Sequence, residues 1–331
     1  MTKLVLAPLA DFTDAPFRLM CFEGGADMAY TEMVSAAALA HGHRQSLELM
    51  ETMAGEGVVG CQLFGSNPEE LAFATDLASK HNPRFAEVNL NAGCPMAKVT
   101  RSGSGAKLVE SPESIYRLLK AMAGATDLPV TLKTRLGPHP QKTNIFEIVD
   151  AAERAGAKGI SIHARYTSQM HGGMVHLDTL AEVVSRTSLP VTGNGSVTDA
   201  SSARAMAQTG VAGIMIGRAA MARPWIFSEL KRALGDEEGP AAAELPRYAL
   251  EVCERHLGYV LKFRDQLAEK FPDCHVPSVD GFASVKMHLH LFRYFNGIPG
   301  AAALRARLNK IRTLDEIRGV LSSTAALLQM R

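Results

Sequence analysis

Short apolar runs alternate with amphipathic stretches from the first residues to about position 235. The runs Leu4–Leu9, Met28–Met33, Val59–Phe64, Phe85–Asn91, Val130–Leu136, Gly159–Arg165, Pro190–Gly195 and Ala212–Arg218 read as strands. Between them the spacing predicts helices over Pro68–His81, Pro112–Ala123, Ile145–Ala155 and Ala200–Thr209. Ser111-Pro112-Glu113 and Asp199 suit the N-caps and first turns of two of these. Eight strand–helix units in this length predict an α/β fold, a (β/α)8 TIM barrel. A doubly wound open sheet shares the same alternation and is the competing fold.

The run Gly235-Asp236-Glu237-Glu238-Gly239-Pro240 breaks the pattern and reads as a linker. Beyond it, Leu245–Lys270, Gly281–Asn296, Ala301–Arg312 and Leu314–Leu328 all have helical period. Two domains are expected: a barrel over 1–239 and a small helical bundle over 244–331. The tail holds 13 Lys and Arg against 9 Asp and Glu, whereas residues 1–243 carry a net charge of −3. That asymmetry permits an anionic partner at the tail without requiring one.

With 47% hydrophobic and 21% charged residues, the chain has the composition of a globular protein with a real core, not of a disordered one. There is no apolar run long enough to cross a bilayer, and the first residues lack the basic head and long apolar middle of a signal peptide. Cys21, Cys61, Cys94, Cys253 and Cys274 are scattered without a CxxC pair, which argues against a disulfide framework or a zinc knuckle. A monomer in the cytoplasm, away from membranes and without a metal, is expected.

Three successive strands carry polar residues on one face. Glu87, Asn89 and Asn91 alternate with Val88 and Leu90; Lys133 and Arg135 oppose Leu132; Ser161, His163 and Arg165 alternate with Ile160 and Ile162. The apolar faces must pack on the helices, which sends the polar ones into the barrel, where unpartnered charges cost several kcal/mol each. A self-satisfied polar network explains one such strand; three in succession point to a ligand site at the C-terminal ends of the strands. The last two strands end in Gly193-Asn194-Gly195 and Gly217-Arg218, where small residues can offer backbone N–H groups to a phosphate. Arg101–Lys107 lacks P-loop spacing, and no GxGxxG follows a strand. Cys94 lies just beyond the fourth strand between Gly93 and Pro95, where a thiol can donate a proton, attack a carbonyl or simply pack.

These motifs resemble the tRNA-dihydrouridine synthase family over nearly the whole chain. The similarity runs through Leu6-Ala7-Pro8-Leu9-Ala10-Asp11-Phe12-Thr13-Asp14 with Pro16-Phe17-Arg18, Gln62-Leu63-Phe64-Gly65, and Asn89-Leu90-Asn91-Ala92-Gly93-Cys94-Pro95. It continues in Lys133-Thr134-Arg135-Leu136-Gly137, His163-Ala164-Arg165, Gly193-Asn194-Gly195 and Gly217–Phe227, the last being most similar to the bacterial B-type branch. Lys286, His288, Tyr294 and Gly297 fall on the family's basic helix signature.

The resemblance implies an FMN oxidoreductase that uses NADPH to reduce the C5–C6 double bond of uridine in tRNA, with the D-loop as target region. Pro8, Leu9 and Ala10 would line the flavin ring, with Gln62, Lys133 and His163 around it. Asn194, Gly195, Ser196, Gly217 and Arg218 would hold its phosphate. Cys94 would be the proton donor. Asn91, Arg135 and Arg165 would meet the base, and Lys286 and Arg293, with Arg305, Arg307, Lys310 and Arg312, the RNA phosphates. Three positions depart from the family: Leu9 for the usual Met, Tyr166 for Thr, and Lys107 for a small residue. The rival readings are an FMN barrel acting on a free pyrimidine, a non-redox lyase forming a Schiff base on Lys133, and an RNA-binding protein without catalysis.

Overall fold

The computed structural model describes residues 2–235, 245–294 and 307–329. Nine parallel strands run in chain order: β1 (Lys3–Leu6), β2 (Met28–Tyr30), β3 (Val34–Ser35), β4 (Val58–Phe64), β5 (Phe85–Ala92), β6 (Val130–Arg135), β7 (Ile160–His163), β8 (Val191–Asn194) and β9 (Gly213–Ile216). β1 pairs with both β2 and β9, and β2 pairs with β4, so eight strands close on themselves, with the two-residue β3 added against the end of β4. This is the TIM barrel; the open sheet is excluded by the closure.

The helices over Pro68–His81, Pro112–Ala123 and Ile145–Ala155 have the predicted limits, and that from Ala200 ends at Ala207. Their starts are fixed locally. Ser111 Oγ accepts from Ser114 N, and Asp199 Oδ1 from Ser202 N, each satisfying an N–H that has no partner within the helix. Val88 and Leu90 pack outward with Leu118, Leu119 and Ile148 in the barrel–helix core. Burying that apolar layer is what turns the alternate residues inward.

Six strands stop short of the sequence expectation, β2 at Tyr30 and β6 at Arg135 among them. β1 ends at Leu6, β7 at His163, β8 at Asn194 and β9 at Ile216, and Arg218 opens a short helix, Arg218–Ala222. The residues beyond leave the ladder because they turn over the barrel mouth. Pro8 has no N–H to pair, while Gly195 and Ser196 take φ of 126° and 54°.

After the barrel come helices Leu245–Lys270, Val279–Tyr294 and Leu314–Gln329. Of the linker, Asp236–Pro240 lies outside the described residues, as do Gly297, Arg305 and the first half, 301–306, of the helix predicted over 301–312. The tail helices share an apolar core with barrel residues Leu19, Met20, Met53 and Trp225. Polar staples surround it: Lys270 Nζ meets both Glu51 carboxylate oxygens at 2.7 and 2.8 Å, and Gln266 donates to Thr52 O at 3.0 Å.

Candidate active site

All eight barrel strands, through their C-terminal ends or the loops beyond, line one cavity of about 250 Å³. Register explains the gathering. Gln62 is level with Asn89, Asn91 with Lys133, and Arg135, His163 and Asn194 stand side by side across three neighbouring strands. Pro8, Leu9, Ala10, Gln62, Asn91, Cys94, Lys133, Arg135, His163, Arg165, Asn194, Gly195, Ser196, Gly217 and Arg218 all line it. Lys286 and Arg293 do not.

The barrel interior has two levels. Below, the polar groups satisfy one another. Tyr30 OH and Thr131 Oγ1 each donate to Glu87 Oε1 at 2.6 Å, Asn89 Nδ2 donates to Thr131 at 2.8 Å, and Gln62 Nε2 donates to Asn89 Oδ1 at 2.8 Å. Asn91 continues the chain, donating from Nδ2 to Gln62 Oε1 at 2.8 Å while its Oδ1 accepts from the amides of Gly93 and Cys94 at 3.1 and 3.0 Å. Above, the surplus is cationic. Among the described residues Lys133 Nζ hydrogen-bonds only to Asn194 Oδ1, at 3.5 Å. Burial, then the nearby Arg135, brings its pKa down to about 8.

Cys94 is half-buried on the loop after β5. Gly105 sits beneath it at φ 59°, and a Cβ there would lie 2.6 Å from the Cys94 carbonyl, so this position admits only glycine without a shift. Ala106 N donates to that same carbonyl at 2.8 Å.

Arg135 and Arg165 both donate to backbone carbonyls at the mouth. Arg135 Nε donates to Gly93 O at 2.7 Å, and Nη1 donates to Met170 O and Tyr166 O at 2.7 and 3.2 Å. Arg165 donates from Nε and Nη2 to the carbonyls of Gly172 and Gly173 and from Nη2 to Ser196 Oγ at 2.6 Å. Arg218 Nη2 donates to His171 O at 3.1 Å. Three strand ends thus hold the loop after β7 over the mouth, with Met170 at φ 52°. Burial, then the charges of Lys133, Arg135 and Arg165, pushes the His163 pKa far down, so the ring is neutral.

The sequence reading missed Met33, His171 and Thr198 among the lining residues. Met33 lay within a strand motif. His171 had no local signal, since it reaches the cavity through arginines from other strands. Of the departures, Leu9 lines the cavity, Tyr166 is buried with its OH 2.6 Å from Thr143 Oγ1, and exposed Lys107 pairs with Glu110 at 2.7 Å.

In the tail, Lys286 Nζ meets Asp14 Oδ2 at 3.2 Å, and this pairing, with Glu32 nearby, raises the lysine's pKa against the opposing effect of burial. Exposed Arg293 lies over the Phe12 ring, 5.4 Å from its centroid. Both residues therefore contact the segment that follows the cavity-lining Pro8–Ala10. No helix among the described residues is long and apolar enough to cross a membrane, and no group of side chains there could hold a metal ion.

The family model described as Dihydrouridine synthase (Dus) matches residues 5–329. A protein named tRNA-dihydrouridine synthase B from Klebsiella pneumoniae is 36% identical over 237 residues, covering 71% of this chain and 73% of its own. Its namesake from Vibrio vulnificus is 32% identical over 289 residues, 81% of this chain and 88% of the relative. A solved structure of a mandelate oxidase mutant covers 70% of this chain and 73% of its own at 18% identity and a TM-score of 0.49. The family match, which runs through the tail as well as the barrel, decides against the free-pyrimidine and Schiff-base readings. The chain belongs to the dihydrouridine synthase family, in its B-type branch: flavin-dependent oxidoreductases that reduce uridine in tRNA to dihydrouridine.

Proposed function

We propose that the cavity holds FMN, reduced by NADPH, and that Cys94 is the acid which protonates C5 of a D-loop uridine. The observation that carries this reading is the placing of Cys94 on a backbone-locked loop at the rim of a cavity whose upper level is cationic. Reduced and bound there, the flavin supplies the hydride that adds to C6 of the uracil ring. Lys133 fits such an occupant, being a half-buried cation whose only hydrogen bond among the described residues is a long one to an amide, able to pair with negative charge on the ring's polar edge. Pro8, Leu9 and Ala10 line the cavity with apolar groups, and Gln62 and His163 give polar neighbours.

Asn194, Gly195, Ser196, Gly217 and Arg218 would hold the phosphate. The positive φ at Gly195 and Ser196 supports this, because such turns can present backbone N–H groups to an anion. Cys94 gives its proton to C5 and regains one from water. Asn91 seats the thiol's loop as much as the base, since both its amide atoms already bond protein. The target base must leave its stack to reach the cavity, and the tail's exposed Arg307, Lys310 and Arg312 suit the RNA backbone. Five free cysteines agree with a reducing cytoplasm.

Chromatography of the flavin released from the purified protein identifies the cofactor. Nucleoside mapping of tRNA from cells without the gene, and with it restored as wild type or Cys94→Ala, tests the rest. Dihydrouridine should vanish at one position and return with wild type alone. Its return with Cys94→Ala would end the role of Cys94, and no loss anywhere would end the assignment of the target.

A further inference from the structure

Arg135 stands where the loop after β5 meets the loop after β7, with its side chain almost wholly buried. The four backbone polar atoms of Gly93 and Cys94 are all engaged. Both amides donate to Asn91 Oδ1, the Cys94 carbonyl accepts from Ala106, and the Gly93 carbonyl accepts from Arg135 Nε. Asn91 and Ala106 belong to the same strand and loop as Cys94. Arg135 comes from the neighbouring strand, and its Nη1 reaches on to Met170 O and Tyr166 O. One rigid guanidinium therefore bridges two loops that lie on opposite sides of it.

We propose that Arg135 is a positioning residue for the proton donor: it locks the Cys94 loop and the Tyr166–Met170 loop to each other, so that the thiol stands at the cavity in a single arrangement. This rests on the reading of Cys94 as the acid. In the step it serves, the S–H bond breaks and a C5–H bond forms, while the hydride from the reduced flavin has gone to C6. The thiolate regains its proton from water. Arg135 touches neither reacting atom and acts through the Gly93 carbonyl. That differs from the substrate contact expected from sequence, because its Nε and Nη1 donors face backbone carbonyls. A lysine cannot replace it, since one ammonium on a flexible stem lacks the planar fork that spans both loops.

Arg135→Lys in the flavin-loaded enzyme tests this. Turnover should fall about 100-fold with the KM for tRNA kept, the mark of a misplaced reacting group and not of lost binding. In the same enzyme without RNA, amide hydrogen exchange should quicken together in the segments 91–97 and 166–174, with the helix Pro68–His81 unchanged. Quickening in one loop or in neither overturns the proposal, as does a raised KM with kcat retained. If exchange in Pro68–His81 also quickens, the variant has lost its fold, and Arg135→Gln, which keeps a single NH2 donor group, is read by the same criteria. The exchange result bears on Arg135 alone, whereas full turnover by Cys94→Ala would remove the acid assignment beneath it.

Discussion

Arg165 Nη1 lies 3.1 Å from His163 Nε2. A guanidinium nitrogen can only donate, so His163 accepts at Nε2 and keeps its proton on Nδ1. The ring enters the cavity as a neutral imidazole with a fixed tautomer, denied a charge by its burial and then by the cations around it. Its neighbours in the cavity follow from the same balance of burial and charge.

Three buried histidines resist protonation. His163 and His290 are held well below the ordinary range, and His256 at about 4, with burial the leading cause for each. Below pH 6.5 the unfolded chain binds protons on these residues that the folded one does not, so stability is full above 6.5 and falls as pH drops. The slope is about 1.4 kcal/mol per pH unit for each histidine. Urea unfolding at several values between pH 7.5 and 5 measures it. Because the raised pKa values of Glu32 and Glu87 act in the opposite direction, the decisive quantity is the difference from His256→Gln, whose slope should be shallower by one proton. Equal slopes would show that His256 titrates normally in the fold.

Lys133, at about 8 in the ligand-free protein, should lose its hold on an anionic ligand as pH rises through that value. FMN affinity of the flavin-stripped protein should fall by at most about tenfold per pH unit above 8. Lys133→Arg stays charged, so its decline should vanish. A decline of the same size in both proteins would assign the titration to another group.

Gly105→Ala should disturb the loop that carries the thiol. Its φ of 59° and the 2.6 Å approach to the Cys94 carbonyl imply a cost of about 1–3 kcal/mol. Turnover should fall while flavin content is retained. A fully active, equally stable Gly105→Ala enzyme would falsify the claim that this glycine seats Cys94.

The tail cations should divide into two groups. Charge reversal at Arg307 and Lys310, both exposed, should weaken tRNA binding and flatten its salt dependence by roughly 0.7–0.9 per lost phosphate contact. Lys286→Met should leave that slope alone and lower stability by about 1–3 kcal/mol, because it strips the buried Asp14 of its ion pair. A flatter salt slope for Lys286→Met would return that residue to the RNA surface.

Strands, helices and the barrel were legible in the sequence because burial imposes a period. Val88 and Leu90 must face the helices, so Asn89 and Asn91 must face inward, whatever else the chain does. The Ser111 and Asp199 caps are equally local, since each side chain serves its own helix. The site residues from Pro8 to Arg218 could be gathered from motifs because register carries every strand end to one mouth. What those side chains bond to was not legible. The sequence pointed to Arg135 and Arg165 as substrate contacts and to Lys286 as an RNA contact; that they also meet backbone carbonyls and Asp14 came only from the fold. Donors and acceptors far apart in the chain meet only when the barrel closes and the tail docks. Motif and register brought most of the cavity's lining within reach of the sequence, though not His171; which groups there already have protein partners came only from the fold, because a hydrogen-bond partner is set by distance in space and not along the chain.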